Sequence, residues 1–177
     1  IVTVLVGTND AKSTLSREHE ERAIRDLALP QTPDADWYRE NIKSIAEKLR
    51  SKTDARIAFL SVPPIGEDPE HPGYALSGEY SQIVKEEAAI AGVSYLPLYE
   101  TMVSYLAENP ADPVHDFAKT RSVMMASIVR HYLLGQSWDR IGEINGFVLH
   151  TDHLHLNSVG AQMIAELIVG FAREGAN

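Results

Sequence analysis

The sequence predicts an α/β protein: a parallel sheet with helices on both of its faces. Two observations carry this. Three short runs, IVTVLV (1–6), ARIAFLSV (55–62) and VSYLPL (93–98), read as strands; the first is apolar and β-branched almost throughout, the pattern of a strand buried on both faces, and the second reads as buried too. Between and after them lie stretches whose apolar residues recur at helical spacing. Strand alternating with helix in this way closes into a parallel sheet.

Composition is consistent with that class. A chain of 177 residues with 44% hydrophobic residues can bury one sizeable core. No repeat, low-complexity tract or linker divides it, so one domain over 1–177 is expected. The net charge of −9 disfavours nucleic acid and anionic membrane surfaces as partners, because phosphates would be repelled. The sequence has no cysteine, which excludes disulfides, thiolate metal sites and a Cys nucleophile. No apolar stretch reaches the length of a membrane span.

The elements follow in order. IVTVLV is the first strand, and GTND (7–10) breaks it with turn-forming residues. Residues 11–36 are polar, contain Pro30 and Pro33, and read as a loop with at most one irregular helical turn. From Trp37 to Arg50 the pattern is helical, with Ile42, Ile45, Ala46 and Leu49 on one face and Asp34 or Asp36 as the cap. The second strand stops at Pro63 and Pro64. Residues 66–78, rich in Gly, Pro and acid, read as a surface loop. Tyr80 to Ala91 is helical with Ile83, Val84 and Ala88 inward and Gly92 as a stop. The third strand is followed by a helix from Tyr99 to Glu108. The stretch 109–146 is less regular and holds a helix over 117–134. The last helix spans 158–174, with Val159, Met163, Leu167, Ile168 and Phe171 as its apolar face and Gly175 past its end.

In open α/β sheets ligands bind beyond the carboxyl ends of the strands, and GTND sits at one such end. By itself it is also a good turn sequence. A second motif lies far downstream: in DHLHLN, Asp152 stands three residues before His155, just ahead of the last helix. A carboxylate beside an imidazole can accept a hydrogen bond from one ring nitrogen, set the tautomer and leave the other nitrogen as a general base.

A strand ending in Gly-x-Asn-Asp, followed far downstream by Asp-x-x-His-x-Asn and a closing helix, resembles the SGNH (GDSL-type) hydrolases. The resemblance covers the whole chain in element order. It implies a flavodoxin-like three-layer α/β/α fold and ester hydrolysis on a small-molecule ester, with no cofactor. It implies that Asn9 donates its amide to an oxyanion, His155 is the base and Asp152 orients it, with Gly7 letting the backbone bend and Asp10 a turn residue. In that family the Ser nucleophile, in Gly-Asp-Ser, and a Gly-bearing loop precede the Gly-x-Asn-Asp block.

No Ser in this chain fits the nucleophile. LNSVG has Leu156 where Gly-x-Ser-x-Gly needs its first Gly, and Ser158 reads as a first-turn helix residue. Ser61 is followed by two prolines, and Ser137 lies in a connection between helices. The resemblance therefore implies that this chain is the C-terminal part of such a hydrolase, with the Ser upstream of Ile1. IVTVLV would then belong inside the sheet. Without neighbours it is an aggregation-prone edge, so an N-terminal segment or another copy of the chain is expected to cover it. Leu156 stands where relatives often carry Pro, which removes no catalytic group.

The same residues admit other readings. His150, Asp152, His153 and His155 could bind zinc, but a strand-like stretch puts 153 and 155 on one face and 152 on the other. His115 and His131 read as surface or packing residues. Met124 and Met125 read as core or as the lining of an apolar pocket. The alternative to the hydrolase is a flavodoxin-like binding module without catalysis, which the sequence upstream of Ile1 would separate. Nucleotide binding is disfavoured by the lack of a Gly-rich phosphate loop.

Overall fold

A computed structural model gives the structure of the protein and describes residues 1–174. Three parallel strands form the sheet: β1 (Val2–Val4), β2 (Ile57–Leu60) and β3 (Ser94–Leu96), in that order across it. Around it pack α1 (Thr8–Ser13), α2 (Arg17–Leu27), α3 (Ala35–Lys52), α4 (Pro72–Ala91), α5 (Leu98–Glu108), α6 (Thr120–Leu134), α7 (Trp138–Asn145) and α8 (Ser158–Arg173). A single 3-10 turn, Phe117–Lys119, leads into α6.

The central strand explains the layering. Every residue of β2 is buried, and alternate side chains leave it in opposite directions. Ile57 and Phe59 enter one core with Ala11, Tyr38, Ile42, Ala46, Ile83 and Val84, which belong to α1, α3 and α4. Ala58 and Leu60 enter another with Leu98, Met102, Leu106 and Phe171, from α5 and α8. The three layers predicted from the sequence are therefore a direct result of one doubly buried strand.

β1 differs from expectation. Only Val2–Val4 is strand, and it is half-buried rather than enclosed. Among the described residues it pairs with β2 alone, and Ile1, Leu5 and Val6 are exposed.

The segments read as loops hold helices. Residues 11–36 contain half of α1 and all of α2. Ser16 caps α2 by accepting from the His19 N–H, and Arg17–Glu21 and Glu18–Arg22 pairs run along it. α2 buries no residue fully, and only Ala23, Ile24 and Leu27 are apolar in an otherwise charged helix, so its sequence resembles a polar loop. Residues 66–78 are not a surface loop either. Gly66 and Glu67 are buried, and α4 starts at Pro72, an N1 proline behind the His71 cap. Gly73 and Gly78 read as breakers but serve close packing: a Cβ on Gly78 would lie 2.9 Å from the Tyr99 hydroxyl. α7, missed in the sequence, is capped by Ser137, which accepts from the Arg140 N–H.

Other elements agree closely with the sequence. Asp34 is the cap of α3, accepting from the Trp37 N–H at 2.7 Å. In α8, Met163, Leu167, Ile168 and Phe171 pack inward, but Val159 is exposed. The predicted stop at Gly175 lies outside the described residues.

Gly7 joins β1 to α1 at φ +125°, in the left-handed region that favours glycine. A Cβ there would collide with the Tyr38 hydroxyl and sit 2.7 Å from Val62 Cγ2. Gly7→Ala is expected to destabilise the protein by about 1–3 kcal/mol. A lower urea midpoint at unchanged m checks it; an unchanged midpoint would show that the turn relaxes freely.

Candidate active site

The turn after β1 leads directly into a helix. Thr8, Asn9 and Asp10 form the first turn of α1, so Asp10 is helical rather than a turn residue, and burial pushes its carboxyl up. Asn9 is exposed, and no hydrogen bond joins its side chain to another described residue.

The second motif lies on a closed loop between α7 and α8. The Asn157 N–H donates to Leu149 O at 2.8 Å, His150 bridges Leu156, and the Thr151 N–H donates to His155 O at 2.7 Å. Asp152 sits at its tip and is 2% exposed. Its Oδ1 accepts the Leu154 and His155 N–H groups at 2.8 and 2.9 Å, a local turn that the Asp-x-x-His spacing permits. Its Oδ2 accepts from His155 Nδ1 at 2.8 Å. With Nδ1 donating, Nε2 of the neutral ring keeps a free lone pair, and the His155 side chain is 61% exposed.

Both groups are shifted as this geometry requires. The hydrogen bond to Asp152 raises His155 above the ordinary imidazole value, against burial and the charge of Lys12. Burial works to raise Asp152, but the hydrogen bonds from His155 and Leu154 outweigh it and hold the carboxyl low. Lys12, in α1, lowers His155; it is itself lowered by burial and by Arg22 and raised by the Asp152 charge. The helix bearing Asn9 is thereby coupled electrostatically to the Asp152–His155 pair.

The other imidazoles are parted. His150 is fully buried and its Nδ1 bonds Glu67 at 2.7 Å, while His153 Nε2 donates to His115 O. Among the described residues no group of three or more His, Cys, Asp or Glu is arranged to hold a metal ion. His131 stacks on Trp138 at 4.0 Å. The serines are also engaged elsewhere. Ser61 is buried and accepts from the Tyr99 N–H, Ser137 caps α7, and Ser158 opens α8 with its N–H on Asp139. Among the described residues no hydroxyl bonds to the His155 ring; the Thr151 hydroxyl donates to its carbonyl oxygen.

Beside His155 opens a cavity of about 430 Å3. Its walls are Met124, Ile128, Tyr132, Trp138 and Leu156, with Asp152 and His155 at one side. Met124 thus lines the cavity, whereas Met125 is exposed. A larger cavity of about 820 Å3 includes Glu67 and His153 but neither Asp152 nor His155.

The GDSL-like lipase/acylhydrolase family model matches residues 1–163. The chain belongs to that family. Solved structures share its fold. An acetyl xylan esterase, AlAXEase, is 17% identical with a TM-score of 0.60, over 96% of this chain and 65% of that one. LAE5, an α/β hydrolase enzyme from the metagenome of Lake Arreo, Spain, is 15% identical with a TM-score of 0.55, over 95% and 57%. Axe2, an acetylxylan esterase from Geobacillus stearothermophilus, is 13% identical with a TM-score of 0.54, over 94% and 56%. The chain therefore spans 56–65% of the length of these three proteins. Structures of Axe2 include catalytic mutants in which a Ser, an Asp or a His is replaced by Ala. No curated protein matches the sequence.

Glu67 was not found from sequence. It closes on residues 81–83 positions away, and no local pattern announces such a partner.

The pair has a pH signature. His155 binds its proton more tightly folded than unfolded, so its stabilisation is complete below the ordinary imidazole value. It is lost as pH rises through the raised one. Asp152 behaves oppositely: its stabilisation is present above the ordinary carboxylate value and is lost as pH falls through the lowered one. Asp152→Asn is expected to lower the His155 pKa, read by NMR titration of its Cε1–H. An unmoved titration would exclude Asp152 as the cause.

Proposed function

We propose that the protein hydrolyses carboxylic esters by acyl transfer, with His155 as general base, Asp152 as its orienting carboxylate and Asn9 as an oxyanion donor. The observation that carries this is the buried Asp152 carboxylate bonded to Nδ1 of a largely exposed imidazole. Membership of the GDSL-like lipase/acylhydrolase family supports it, as do the esterase titles of the structural neighbours. The Axe2 catalytic mutants replace a Ser, an Asp and a His, and the last two are the residue types of Asp152 and His155.

In this reading the nucleophilic Ser lies upstream of Ile1. It attacks the ester carbonyl as His155 Nε2 takes its proton, and the tetrahedral oxyanion rests on the Asn9 amide. The C–O bond to the alcohol then breaks, with His155 protonating the leaving alkoxide. His155 next takes a proton from water, whose oxygen attacks the acyl-enzyme, and returns it to Ser as the acid leaves. The cavity beside His155 offers an apolar wall to one side of the ester. We further propose that an upstream segment or a second copy pairs with the free edge of β1, covering Ile1, Leu5 and Val6.

The test uses the full-length protein with a chromogenic acetate ester. His155→Ala is expected to cut kcat by about 10²–10⁴-fold. Asn9→Ala is expected to cut it by about 10²–10³-fold, with little change in stability because the residue is exposed. Near-normal turnover in either variant would sink that residue's role. Intact mass and peptide sequencing of the natural protein would show whether a Gly-Asp-Ser segment accompanies this chain. A species starting at Ile1 with no companion would refute the triad.

A further inference from the structure

The side chain of Glu67 is completely buried, at the turn between β2 and α4. Its Oε2 accepts the Val148 N–H at 2.8 Å. Its Oε1 accepts the Leu149 and His150 N–H groups at 2.7 and 2.8 Å, and His150 Nδ1 at 2.7 Å. Three successive backbone donors and one ring donor thus converge on one carboxylate. The neighbouring Gly66 N–H donates to His153 O at 2.8 Å, inside the Asp152–His155 turn. Asn145 and Asn157 hold the same loop through Thr151 O and Val148 O.

The loop carrying Asp152 and His155 is therefore tied at its base to the end of the central strand. Its two backbone bonds across, at Leu149–Asn157 and Thr151–His155, transmit that attachment to the tip. We propose that Glu67 is a positioning residue for the Asp152–His155 pair, holding the 148–157 loop so that the imidazole meets the Asp152 carboxylate. The proposal about geometry stands on the clamp alone; its consequence for turnover rests on the esterase reading above.

Glu67→Gln tests it. The amide keeps the size but has one oxygen where the site needs two. Whichever way it is turned, its NH2 faces a backbone N–H, and the loop base must shift. The charges that act on His155 are Asp152, on the loop, and Lys12, on α1; both remain in the variant. The His155 Cε1–H titration of E67Q is expected to move down toward the ordinary imidazole value. In the full-length protein kcat is expected to fall about 10- to 100-fold, since small misplacements of a catalytic group have costs of that order, with KM changed less than about threefold. A lower Tm is expected too, but a purely structural role would also produce it. An unmoved His155 titration with kcat intact would overturn the proposal. A moved titration in a protein whose wild type hydrolyses no ester would support the clamp and sink the esterase reading. If E67Q does not fold, His150→Gln keeps the carboxylate and its three backbone donors. It should move the His155 titration in the same direction by less, and no movement in that variant would overturn the proposal.

Discussion

The carboxylate of Glu67 is the interaction on which the candidate site depends. Leu149 and His150 are fully buried, so their N–H groups have no water to turn to. Left unpaired, each such group would cost about 1–3 kcal/mol. An ordered loop at this position therefore needs an acceptor from elsewhere in the fold, and one carboxylate serves Val148, Leu149, His150 and the His150 ring together. The burial of a negative charge is offset by those donors, in the manner of an anion held in a nest of backbone amides.

That carboxylate in turn depends on β2. The strand is buried on both faces, and the chain beyond it stays buried through Ser61 to Glu67. Ser77 and Ser81 of α4 bond the backbone of Ile65 and Val62 there. The end of β2 is thus a rigid support, and the closed loop before α8 hangs on it. The turn at Gly7 leads from β1 to α1, whose Lys12 bears on His155 and feels the Asp152 charge. The chemistry of the pair follows from this arrangement. Asp152 is buried enough to stay aimed and has enough donors to stay charged, while the His155 side chain remains open to solvent.

Legibility in the sequence followed the range of the interaction. The strand at 57–60 was evident because burial on both faces leaves an unbroken apolar run. The cap at Asp34 and the apolar face of α8 were evident because helix spacing and capping are local. The helices at 8–13 and 17–27 were not, because they bury few side chains and hold few apolar residues: Ala11 in the first, and Ala23, Ile24 and Leu27 in the second. The first turns of α4 were hidden by Pro72, Gly73 and Gly78, residues that break helices in general. Here they serve as an N1 proline and as close contacts to Ile65 and Tyr99. β1 was read as enclosed because its composition is apolar, yet only β2 pairs with it in the described structure.

By itself the sequence determined the doubly buried central strand, and it determined that Asp152 can reach His155. A separation of three residues lets one carboxylate accept two nearby backbone N–H groups and the ring, all within a single turn. Only the tertiary structure decided that this turn is anchored, how deeply Asp152 is buried, and that an apolar cavity walled by α6 and α7 adjoins the imidazole. Those features join residues far apart along the chain. Their energies arise from desolvation and from partners that meet only once the sheet and its helices have packed.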